Sequence, residues 1–149
     1  MRAPLQQAGF TMVEMVVVMI LMGLLAALAV PRLSDRTALQ ERGVQDQLRA
    51  LLRSARQVAV TQEREVCVLL AATTARAVYV AGGNCAPGSP VAGHGGEPQL
   101  ALQLPPQLAL GGANQVRFNA RGQPVPAADR VITVGTLNLT VSRETGFAF

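Results

Sequence analysis

Residues Phe10–Val30 form an apolar run of 21 residues in which Thr11 and Glu14 are the only clearly polar members. A soluble core helix is not expected to be this long and this uniformly apolar. The run matches the ~20 residues a helix needs to cross a bilayer. An ordinary cleaved secretory signal is a second reading, because Ala27-Leu28-Ala29 forms a small-x-small site after the run. Glu14 argues against it. A carboxylate inside the run weakens insertion by about 3 kcal/mol, and a disposable signal has no reason to carry that cost.

The chain has 149 residues, enough for one ordinary domain beyond the run. Half of its residues are hydrophobic, but they concentrate in the run, so the positive mean hydropathy describes one segment. All thirteen basic residues are arginine, with a net charge of +4. They are dispersed among Asp and Glu, which predicts a solvated surface and not a nucleic-acid track. There is no Trp and only one Tyr, so stacking platforms for single strands are not expected.

Pro31 ends the apolar run. It removes a helix hydrogen bond, which predicts either a helix end or a kink there. The kink is preferred because a helical period resumes, with Val44, Leu48, Leu51, Leu52, Ala55, Val58 and Ala59 on one stripe. Arg49, Arg53 and Arg56 lie on another, read as a solvated face, with Asp46 at pairing distance from Arg49 or Arg53. One helix is therefore expected from about Phe10 to about Thr61.

Beyond it the period changes. Glu65–Leu70 and Ala75–Ala81 read as a hairpin turning through residues 71–74. Residues 82–98 hold six glycines and three prolines and read as a loop. Leu100–Leu104, Val116–Asn119, Arg130–Val134 and Leu137–Ser142 read as further strands, the last two joined at Gly135-Thr136. One helix followed by strands predicts an α+β fold, with an antiparallel sheet burying one face on the helix stripe.

The only histidine, His94, sits between Gly93 and Gly95 in the loop and has no second histidine to complete a metal site or a triad. The glycines around it lack a P-loop lysine. Neither an enzyme, a metal nor a cofactor is expected. Cys67 and Cys85 are too few for a four-ligand zinc site, and in an exported domain they are a disulfide candidate. In a hairpin turning near Thr73, residue 67 falls opposite residue 79, so the chain must fold back at Gly82-Gly83 to bring Cys85 to Cys67. The alternative is a buried Cys67 and a free loop thiol at Cys85.

The segment Gly9-Phe10-Thr11-Met12-Val13-Glu14, followed at once by the apolar run and Pro31, resembles the processing motif of type IV prepilins. The resemblance implies cleavage between Gly9 and Phe10 by a prepilin peptidase, N-methylation of Phe10, and a register-setting role for Glu14. In a filament core Glu14 can pair with the Phe10 amine of a neighbouring subunit, since a buried carboxylate is costly unless paired. In the membrane the same residue can reach toward headgroups. The leader, residues 1–9, carries one Arg, which suits a cytoplasmic N-terminus.

The segments FNARGQP at Phe118–Pro124 and VSRETGFAF at Val141–Phe149 resemble minor pilins of the H-pseudopilin/FimT type, in particular those of the mannose-sensitive haemagglutinin (MSHA) pilus. The implied organisation is a leader (1–9), a transmembrane or filament-core helix (10–30), its amphipathic half (31–62) and a periplasmic β domain (63–149). The implied partners are other pilins, the prepilin peptidase, the inner membrane and the pilus assembly machinery. The implied role is initiating or capping a pilus. Alternatives are a type II secretion pseudopilin and a DNA-binding pilus-tip subunit. Arg130 and Arg143 are flanked by Asp129 and Glu144, which counts against DNA. Centrally placed cysteines count against a major pilin.

Overall fold

A computed structural model describes residues 11–33, 36–93 and 95–149, with the side-chain surroundings of residues 11–26 and of Ala38 onward apart from His94. The expected cleavage pair Gly9 and Phe10, and also His94, lie outside the described residues. The chain divides into two compact units, Met1–Thr37 and Ala38–Phe149.

Helix α1 spans Met12–Leu33. Its start follows from Thr11-Met12-Val13-Glu14. The Glu14 N–H donates to Thr11 Oγ1 at 3.3 Å, and the Met15 N–H donates to the Thr11 carbonyl. Threonine thus caps one of the first free amides, with Glu three positions on. Pro31 lies inside α1, which continues to Leu33. Helix α2 spans Arg36–Thr61. The expected single helix is thus described as two elements, and the residues between them, 34 and 35, lie outside the described ones.

Helix α2 ends in a Schellman arrangement. The Arg64 N–H donates to the Ala59 carbonyl and the Glu63 N–H to that of Val60, with Glu63 at φ 50°. One face of α2 is buried: Val44, Leu48, Leu51, Leu52, Ala55 and Ala59, with Val58 at the margin. This is the stripe legible in the sequence.

Two antiparallel sheets pack on that stripe, where one was expected. The first has strand order β3-β2-β1-β5-β6, from β1 (Val66–Leu70), β2 (Thr74–Tyr79), β3 (Ala101–Gln103), β5 (Gln115–Phe118) and β6 (Pro124–Val125). The second has order β4-β7-β8, from β4 (Leu110–Gly112), β7 (Arg130–Val134) and β8 (Leu137–Val141). Strands β4 and β6 escape a propensity reading because they contain Gly111-Gly112 and Pro124. Pro124 is tolerated because β6 is an edge strand, where a missing N–H costs no ladder bond.

Alternation on β1 explains the layering. Val66, Val68 and Leu70 point into the core on α2 with Ala75, Ala77, Val116 and Phe118. Cys67 points to the opposite face, beside Val78 and Cys85. The hairpin is tighter than expected, with Leu70 opposite Ala75 and Cys67 opposite Val78 instead of Tyr79. The loop 82–98 is held along β2 by Tyr79 N–H to the Ser89 carbonyl and Val91 N–H to that of Ala77. It also supplies Val91 to the main core.

Candidate assembly surface and the corners of the second unit

On α1 every side chain described, from Met12 to Ala26, is exposed, around the whole circumference. Met12 and Met19 are 88% and 71% exposed, and Val16, Ile20, Leu21 and Leu24 all exceed half. An all-round apolar helix is stable only when lipid or other apolar helices cover it. Glu14 lies in its first turn, where a carboxylate also suits the positive end of the helix dipole. Over the described residues alone, no helix is long and apolar enough to cross a membrane. The apolar sequence Phe10–Val30 extends past the residues whose side chains are described.

In the second unit, Cys67 and Cys85 are joined, with Cα atoms 5.6 Å apart. The chain reverses at Gly82 and Gly83, whose φ values of 59° and 82° suit glycine. The Ala81 and Asn84 backbones pair across that turn. Arg117 on β5 fixes the root of the loop. Its Nη1 donates to the Gly83 carbonyl at 2.8 Å, and its Nη2 pairs with Glu65 at 2.6 Å. Sequence reasoning found the cysteines and the turn but not Arg117, because the partners lie 34 and 52 residues away.

Glu41 and Gln45, near the start of α2, are buried polar residues. The Glu41 carboxylate accepts from Thr136, and the Gln45 amide donates to the Asn138 carbonyl at 2.9 Å. They clamp the β7–β8 turn onto the helix. Neither stands out in the sequence, since a Glu and a Gln one turn apart read as a solvated face.

The two motifs FNARGQP and ETGF lie against one another. Gly146 packs so closely on the Gly122 carbonyl that a side chain there has no room. Arg56 of α2 donates from Nε to the same carbonyl at 3.1 Å and lays its guanidinium over the Phe147 ring, 4.4 Å from the centroid. Arg56 is thus half-buried and engaged, unlike the solvated face expected for the arginine stripe, because it borders the buried Ala55 and Ala59. Asp46 pairs with Arg49, at 3.1 Å, and Arg53 stays exposed. Among the described residues no cluster of His, Cys, Asp or Glu could hold a metal ion.

The prokaryotic N-terminal methylation motif matches residues 5–30, a span that includes Gly9, Phe10 and Glu14. The type II transport protein GspH matches residues 45–147, which takes in the amphipathic part of α2 and both sheets. The chain belongs to the GspH family. It is a subunit of the type IV minor pilin and pseudopilin kind, with a prepilin methylation motif. Two crystal structures of the type IV minor pilin FimU of Pseudomonas aeruginosa, strain PAO1, share the fold. In the P21 form the TM-score is 0.59 at 17% identity, over 76% of this chain and 89% of that one. In the P65 form it is 0.56 at 18%, over 72% and 90%. The fold is the α+β fold of type IV pilins. No curated protein sequence matches the chain. As a member of this pilin family, the chain is a subunit that associates with other pilins in a filament.

Proposed function

We propose that this protein is a minor pilin that assembles into an MSHA-like type IV pilus and helps to initiate or cap it, acting structurally and without catalysis. Prepilin peptidase cuts between Gly9 and Phe10 and the new amine is methylated. The chain then spans the inner membrane once, with the domain beyond α1 in the periplasm, until the assembly machinery extracts it into the filament. The observation that carries this reading is the Met12–Ala26 stretch of α1, exposed on all sides and apolar but for the Glu14 carboxylate. Such a helix needs lipid in one state and other helices in the next. Glu14 fits both, at the lipid headgroups before assembly and against a neighbour's Phe10 amine afterwards.

Intact mass of the membrane-extracted protein tests the reading. A mature chain starting at an N-methylated Phe10 is expected, and a chain starting at Val30 overturns it in favour of a secretory signal. A second reading, a type II secretion pseudopilin, is favoured by the GspH match over residues 45–147. Copy number in sheared surface pili separates the two, because a pseudopilin is absent from them.

A further inference from the structure

Between α2, the 121–122 turn and Phe147 lies an open groove of about 390 Å³. Two segments distant in sequence bring three guanidiniums to it: Arg53 and Arg56 from α2, and Arg121 from the turn. Its floor is apolar. Val60 is 42% and Phe147 50% exposed, and Arg56 covers one face of the Phe147 ring. Among the described residues the ion pairs are Asp46–Arg49 and Glu65–Arg117, so none of the three groove arginines meets a carboxylate of its own unit. Two of them, Arg53 and Arg121, are exposed, and their guanidiniums make no hydrogen bond among the described residues.

We propose that this groove receives an acidic, apolar-flanked peptide segment of a neighbouring filament subunit. This rests on the reading of the protein as a filament subunit. Guanidinium forks match carboxylates in two-pronged geometry, and the half-exposed ring and valine offer a place for an adjoining apolar side chain. A peptide of alternating character meets both features within a short span. A nucleic-acid strand fits less well. It needs a basic track with successive stacking rings, whereas the groove holds one ring, already covered on one face. Toward the C-terminus Arg130 and Arg143 each sit beside an acid, Asp129 and Glu144, so no basic track continues there.

The test uses the mature full-length protein in neutral-detergent micelles and a fluorescein-labelled octapeptide alternating Glu and Leu, read by anisotropy. Saturable binding that weakens with added salt is expected. The double substitution Arg53→Glu with Arg121→Glu should weaken it about tenfold, as two exposed charge contacts are reversed. Because both side chains are exposed and unbonded, the fold should survive, and the reversed protein should gain binding to a Lys–Leu octapeptide. The proposal is overturned if a Gln–Leu octapeptide binds as well as the Glu–Leu one. It is equally overturned if the reversed protein binds Glu–Leu unchanged, if a thymidine oligonucleotide of equal charge binds more tightly, or if no saturation is reached at millimolar peptide. Failure here leaves the mass of the processed chain, and so the pilin reading, untouched.

Discussion

The Glu41 carboxylate accepts a hydrogen bond from the Thr136 hydroxyl at 2.7 Å and a longer one from the Thr136 N–H at 3.4 Å, across 95 residues of chain. One buried acid near the start of α2 thereby holds the turn of the β7–β8 hairpin, and with it the three-stranded sheet, to the helix. Gly135 makes the approach possible, because a Cβ there would run into the Glu41 carboxyl. Glu41→Ala leaves Thr136 without its acceptor in a part-buried place, which costs about 1–3 kcal/mol. The thermal midpoint of the domain should fall by roughly 5–15 °C, and Glu41→Gln should recover part of the loss.

Gly135→Ala gives a related test. Its φ of 56° costs an L-residue about 1–2 kcal/mol, and the new methyl displaces the Glu41 carboxylate as well. In a Glu41→Ala background only the backbone strain remains. The two substitutions should therefore cost less together than the sum of each alone, by at least ~0.5 kcal/mol. Strict additivity in denaturant melts would show that the clamp does not act as a unit.

The close contact between the two glycine motifs predicts a contrast. Gly82 and Gly146 have similar φ values, 59° and 68°. A Cβ on Gly82 meets open space, whereas one on Gly146 meets the Gly122 carbonyl. Gly82→Ala should cost only the left-handed strain, about 1–2 kcal/mol. Gly146→Ala must also push backbone from backbone and loosen Arg56, and should cost clearly more. Equal unfolding midpoints for the two variants would remove the crowding explanation.

The Cys67–Cys85 bond closes a loop of sequence separation 18, worth ~3 kcal/mol in the chain-entropy model. Cys85→Ser should lower stability by about that amount and free the 82–98 loop from the outer face of the first sheet. Arg117 and its contact with Gly83 should then lose order. Alkylation of the denatured, unreduced native protein should label no thiol; two labelled thiols would contradict the bond.

On the proposed pairing of Glu14 with a neighbour's Phe10 amine, Glu14→Ala should still be cut but should enter filaments poorly. Immunoblots of sheared filaments measure this. Incorporation equal to the native protein would leave Glu14 with only its place in the first turn of α1, where Thr11 already caps the helix.

How far the chain could be read before folding depended on how local each signal is. The apolar run with one carboxylate, the buried stripe from Val44 to Ala59 and the strong strands β1, β2, β5, β7 and β8 are all set by neighbours within a few residues. Periodicity reveals them. So does the Gly82-Gly83 reversal that turns Cys85 back toward Cys67. What only the tertiary structure decided is long-range. It split the strands into two sheets, and it recruited Gly111-Gly112 and Pro124 as edge strands because partners already in place could satisfy them. It shifted the hairpin register by one residue by tightening the turn, and it chose Glu41 for Thr136 and Arg56 for Gly122 and Phe147. A charged residue on a helix looks the same in sequence whether it faces water or a carbonyl 66 residues away. Packing alone distinguishes the two, because it decides which polar groups lose their water and must find a partner.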